Sequence, residues 1–97
     1  IGRVVRFESV GESWLLQIET PLNMAPFLAY KGSITVNGVS LTVNQVKDAA
    51  TGCVFDINII PHTIDHTALG SLTVGAEVNL EVDVLARYVE RMLSLRA

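Results

Sequence analysis

The sequence predicts an all-β fold: a small six-stranded antiparallel barrel, Greek-key-like, with short helical plugs and a C-terminal helix. Three observations lead there. Short runs of β-branched and apolar residues recur along the chain, each bounded by Gly, Pro or Asn. Asn37-Gly38 stands between two such runs, and both central positions of a type I′ hairpin turn need positive φ. Beyond residue 83 the apolar spacing changes, with Leu85, Tyr88 or Val89, Met92 and Leu95 recurring at helical intervals among Arg87, Glu90 and Arg91.

Each element follows in order. Ile1 to Val10 is apolar with Arg3 and Arg6 interposed and reads as a strand. Gly11-Glu12-Ser13 supplies a turn, and Trp14 to Thr20 a second strand with Leu16 and Ile18 on one face. Pro21 has no N–H to give and stops the ladder. Pro21 to Leu28 reads as a short helix or a pair of turns over one end of the sheet. Trp14 and Phe27 read as core or plug aromatics rather than cofactor-stacking ones, because few aromatics are available to build a core. The central hairpin, residues 31 to 46, alternates Val39, Leu41 and Val43 with Ser40, Thr42 and Asn44. Its polar face is either a wet outer surface or the lining of a site.

Lys47 to Gly52 reads as a loop and Cys53 to Ile60 as the fifth strand. Pro61 suits the first residue of a helical turn, which runs through His62, Thr63, Ile64, Asp65 and His66 toward Gly70 as a left-handed cap. Glu77 to Val82 alternates strictly and predicts the sixth strand. Asp83 ends it, as an N-cap for the last helix or as a carboxylate at the barrel mouth. The expected division is a β-barrel over 1–83 and a terminal helix over 84–97.

Composition narrows the function. The chain has 97 residues, so one domain burying roughly 60 to 70% of its unfolded surface is feasible without staples. Apolar residues make up 49%, and the mean hydropathy of +0.41 exceeds what a lone core needs, which points to a ligand site or a subunit contact. No apolar run reaches the ~20 residues of a membrane helix. Net charge is −3 with scattered basic residues, which disfavours nucleic acid. The lone Cys53 excludes an intrachain disulfide and thiolate metal sites and reads as a buried hydrophobe. His62 and His66 are four apart on the predicted turn but lack an evident third metal ligand; a solvated helix face is the simpler reading. Ser40 with either histidine and Asp83 does not sit in a nucleophile elbow, so acyl transfer is unsupported. Lys31 reads as a surface charge or as an anchor for a polar ligand tail. No signal peptide is visible, which suits a cytoplasmic protein. The start at Ile1, directly in strand-like sequence, reads as a piece of something longer.

The segments Tyr30-Lys31-Gly32, Val36-Asn37-Gly38-Val39-Ser40-Leu41-Thr42-Val43, Ile60-Pro61-His62-Thr63, Thr67-Ala68-Leu69-Gly70 and Val74 to Asp83 together resemble the C-terminal lumazine-binding barrel of the riboflavin synthase family. Arg87 to Leu93 is similar to that family's trimer-forming helix. The resemblance implies two tandem barrels in a homotrimer and a reaction without cofactor. Two molecules of 6,7-dimethyl-8-ribityllumazine disproportionate: one gives a four-carbon unit to the other, yielding riboflavin and a ribitylamino-aminouracil. The active site would lie between the N-terminal barrel of one subunit and the C-terminal barrel of its neighbour. On this chain the resemblance implies that Lys31, Ser40, Leu41, Thr42, Ile59, Ile60, Pro61, His62, Thr63 and Ile64 bind the ligand. Ser40, Thr42 and Asp83 would be the polar groups nearest the chemistry, and the Ser40/Thr42 face would point into a hollow.

The residue types suit that reaction. Deprotonating a lumazine ring methyl gives a delocalised anion, which needs hydroxyl and backbone donors and a modest proton acceptor. Orienting two flat rings supplies much of the acceleration. The chain departs from the family in lacking the N-terminal barrel, its catalytic Cys and the Gly-His pair ahead of the first strand, and Cys53 does not stand at the catalytic position. The fragment is therefore expected to bind lumazine or flavin and be nearly inactive alone. A non-catalytic, antenna-type lumazine-binding domain and an oligomerisation barrel with an empty pocket stay open as other readings.

Overall fold

The computed structural model describes residues 1–28, 31–49, 52–82 and 84–96. Seven antiparallel strands form one curved sheet: β1 Gly2–Val10, β2 Ser13–Thr20, β3 Ser33–Val36, β4 Val39–Ala49, β5 Gly52–Ile59, β6 Glu77–Val78 and β7 Leu80–Val82. A 3-10 turn, Leu22–Phe27, follows β2. Helix α1, Pro61–His66, and a second 3-10 turn, Ala68–Ser71, follow β5, and α2 spans Val84–Arg96. The strand order is β6-β1-β2-β5-β4-β3-β7.

The expected sixth strand is thus two. β6 pairs with β1 at one edge, and β7 pairs with β3 at the other. One stretch of chain serves both edges by breaking at Asn79, and so nearly closes the barrel. Asn37 holds the break: its backbone N–H donates to the Asn79 carbonyl (2.9 Å), and its side-chain Oδ1 accepts from the Asn79 N–H (2.8 Å). Asn37 is able to do this because it sits in the left-handed region, φ 48°, followed by Gly38 at 86°, as a type I′ turn requires. The expected loop from Lys47 also shrinks, since β4 continues to Ala49 and β5 resumes at Gly52.

Alternation sets which side chains fill the interior. Val4, Leu16, Ile18, Ile34, Val36, Val43, Phe55, Ile57, Ile59 and Val78 are buried together, joined by Leu69 from the second 3-10 turn. Phe7 and Trp14 pack against this core with ring centroids 5.0 Å apart. Bulges between Val4 and Arg6 on β1 and between Val43 and Gln45 on β4 bend the sheet, as barrel closure needs.

Gly70 is not a left-handed cap. The glycines at positive φ are Gly11, Gly38 and Gly75. At Gly70 a Cβ would lie 2.5 Å from the Ile64 carbonyl oxygen, so close packing between α1 and the 3-10 turn requires the glycine.

Candidate functional site

The polar face of the β3–β4 hairpin is built by parity. Ile34, Val36 and Val43 are buried, and Val39 and Leu41 pack against the core, so the intervening residues must face the other way. Register then sets Ser33 opposite Thr42 and Thr35 opposite Ser40, with Glu81 of β7 abreast of Thr35. The result is a patch of paired hydroxyls flanked by a carboxylate.

This patch lies on the outside of the barrel. Ser40 and Thr42 are exposed, which overturns the expectation that they point into a hollow. The interior is filled with hydrocarbon, where an unpartnered hydroxyl costs roughly 1 to 3 kcal/mol. A ligand at these hydroxyls would therefore rest on the outer surface. A cavity of about 300 Å³ adjoins the patch at the hairpin tip, lined by Asn37, Gly38, Asn79 and Glu81.

Lys31 is drawn to the same hairpin. Its backbone N–H donates to the Val43 carbonyl, and the Val43 N–H donates to the Gly32 carbonyl, both at 2.7 Å. These bonds extend the β3–β4 ladder and set exposed Lys31, at φ 65°, beside the strand that carries Thr42.

Ile59, Ile60, Pro61, His62, Thr63 and Ile64 lie at the end of β5 and in α1. Ile57 pairs with Val43, so β5 carries Ile59 toward the barrel end where Leu41 sits. Ile59 is fully buried, whereas Ile60 is 59% exposed. The Thr63 and Ile64 N–H groups donate to the Ile60 carbonyl. The Thr67 hydroxyl donates to the Thr63 carbonyl (2.7 Å) and accepts from the Leu69 N–H (3.2 Å). With Leu69 buried, this tethers α1 to the core. His62 and His66 are exposed and stacked, with centroids 4.1 Å apart. The His62 carbonyl can only accept, so His66 Nδ1, 2.8 Å away, carries the proton.

Asp83 lies outside the described residues. Cys53 is fully buried, and burial, then the hydrogen bond and charge of Asp48, push its thiol up to about 11. It is an inert core side chain. Among the described residues, no group of three or more His, Cys, Asp or Glu is placed to hold a metal ion. None of the described helices is long and apolar enough to cross a membrane.

Against known proteins, the family profile of the lumazine-binding domain matches residues 1–83. The chain belongs to the lumazine-binding domain family. The barrel is also similar to riboflavin synthases. It is 44% identical over 93 residues to that of Photobacterium phosphoreum, covering 96% of this chain and 41% of the relative. With that of Mycobacterium bovis it shares 48% over 83 residues, covering 84% and 41%, and with that of Bacillus subtilis 35% over 93 residues, covering 95% and 41%. The chain thus spans about two-fifths of the length of these relatives.

On this lumazine-binding barrel, the hairpin brings Lys31, Ser40, Leu41 and Thr42 together, while Ile59 to Ile64 form a separate segment at the end of β5. Sequence reasoning missed Ser33, Thr35 and Glu81 as members of the polar face. The strict alternation of Ser33, Ile34, Thr35 and Val36 was the signal for the first two. Glu81 had none, because its neighbour across the sheet is 46 positions away in sequence.

Proposed function

We propose that this chain is the C-terminal lumazine-binding barrel of riboflavin synthase. In this reading it holds one 6,7-dimethyl-8-ribityllumazine or riboflavin and contributes half of an intersubunit active site for lumazine dismutation. The carrying observation is the match to about 41% of riboflavin synthases by a chain that folds as one barrel. The match to about two-fifths of each relative supports a second domain, which in this reading is an N-terminal barrel that a neighbouring subunit brings to complete the site.

The residues have defined roles in this proposal. Ser40 and Thr42 donate to carbonyl or ring-nitrogen acceptors of the pteridine, steadying charge as the ring methyl loses its proton. Lys31 offers a cation to the polar tail. Ile60 and Thr63 supply an apolar flank and a hydroxyl at the ring edge, with exposed Pro61 and His62 beside them, while Leu41, Ile59 and Ile64 back these segments from the core side. Asp83 moves the proton. Pairing two rings across two barrels provides the orientation, and no cofactor is needed. An open outer face suits this arrangement, since a shallow half-site becomes dry only when a second barrel covers it.

Helix α2 carries Tyr88, Val89, Met92, Leu93 and Leu95 as exposed side chains. That apolar surface supports a homotrimer assembled through the terminal helix.

Titrating the 97-residue chain with riboflavin while reading flavin fluorescence tests the reading. Saturable quenching is expected, with almost no riboflavin formed from lumazine until an N-terminal barrel is added. Absence of binding would leave the oligomerisation-barrel reading. Robust turnover by the chain alone would overturn the half-site.

A further inference from the structure

A further cavity lies on the same outer surface, beyond the hydroxyl patch. It is an open trough of about 670 Å³ on the outer surface of β2, β5 and β4, bounded by Gln17, Asn44, Gln45, Lys47, Val54 and Asp56. Register assembles it. Gln17 stands opposite Asp56, and Asp56 opposite Gln45, so an amide, a carboxylate and an amide line up across three strands about 4.8 Å apart. One row along, Val54 stands opposite Lys47. The β4 bulge adds Asn44 beside Gln45, giving two amides where a regular strand would present one.

Two features distinguish this trough from an ordinary wet face. Gln17, Asn44 and Asp56 are half-buried, yet none of them makes a side-chain hydrogen bond to another described residue. Arg6, abreast of Gln17, is hydrogen-bonded to Glu8, and Asp56 acts on it only through its charge, without a hydrogen bond. The trough therefore holds converging donors and acceptors without side-chain hydrogen bonds among the described residues.

Charge selects what fits. Asp56 and Lys47 cancel, so an anion meets the carboxylate and a cation meets the ammonium. A neutral ligand rich in hydroxyls satisfies both: a carboxylate accepts from adjacent hydroxyls, amides donate and accept, and an ammonium only donates. Val54 offers an apolar surface to the carbon skeleton. We propose that this trough is a binding site for a neutral polyol or small sugar, separate from the hydroxyl patch on β3 and β4.

The test is an amide NMR titration of the ¹⁵N-labelled chain with D-sorbitol, reading the side-chain NH₂ signals of Gln17, Asn44 and Gln45. Saturable shifts confined to these groups are expected. Asp56→Ala and, separately, Gln17→Leu should each weaken binding about tenfold, with the dispersion of each spectrum reporting that the variant is folded. The double variant Ser40→Ala/Thr42→Val should bind sorbitol as the parent does, whatever its effect on flavin. Non-saturating shifts spread over the surface, binding indifferent to both trough substitutions, or displacement by sodium sulfate would each overturn the proposal.

Discussion

Replacing Gly70 with alanine probes how the barrel end is held. The added Cβ would lie 2.5 Å from the Ile64 carbonyl oxygen, well inside the 3.0 Å below which such contacts do not occur. That oxygen is backbone, so relief comes only by moving α1 away from the 3-10 turn that carries buried Leu69. Overpacking of this kind costs about 1 to 3 kcal/mol. For a domain of this size each kcal/mol is worth about 4 to 8 °C, so the melting temperature should fall by roughly 5 to 20 °C. Thermal melts followed by circular dichroism give the shift. Because α1 carries Pro61 to Ile64, which the proposed function sets beside the ligand, riboflavin affinity should fall as well. Gly70→Asn decides the cause, since a left-handed cap tolerates asparagine and a steric contact does not. An asparagine variant as stable as the parent would refute the packing argument, as would an alanine variant with an unchanged melt.

The remaining predictions concern chemistry. Thr42→Val and Ser40→Ala should leave the melting temperature nearly unchanged, because both side chains are exposed, yet each should weaken riboflavin binding several-fold, read by flavin fluorescence. On the proposed function, Asp83→Asn in the chain joined to an N-terminal barrel should depress riboflavin formation more than ligand affinity; equal losses in steady-state kinetics and binding would remove Asp83 from the proton transfer. Cys53 keeps its proton to about pH 11 when folded, against an ordinary value of 9.0, so between those values the unfolded chain releases a proton that the folded chain retains. Stability should therefore decline as pH rises through that window, and denaturant titrations of Cys53→Ala should show a shallower decline. In the folded parent the thiol should resist iodoacetamide at neutral pH.

Much of the fold was legible because its signals are local. Asn37-Gly38 dictates a hairpin through backbone sterics alone, and alternation along Trp14 to Thr20 and Cys53 to Ile59 assigns faces without knowledge of the partners. The helical spacing after residue 83 likewise needs no tertiary context, and α2 follows it. The lumazine-binding family was legible through the run from Val36 to Val43 together with Ile60-Pro61-His62-Thr63.

Other features depended on contacts between distant segments. Whether Ser40 and Thr42 faced in or out was undecidable from alternation, since a period of two defines two faces but not which one is buried. The competing aliphatics of β2 and β5 settled that by filling the interior. The break at Asn79 exists because one short stretch must pair with β1 and with β3, a demand set by closure and secured by Asn37 from 42 positions away. The role of Gly70 turned on how closely Ile64 approaches it, a distance that only packing creates. Propensity and periodicity act within a few residues, whereas the inside of a barrel, its seams and its outer troughs are defined by strands that meet only after the chain has folded.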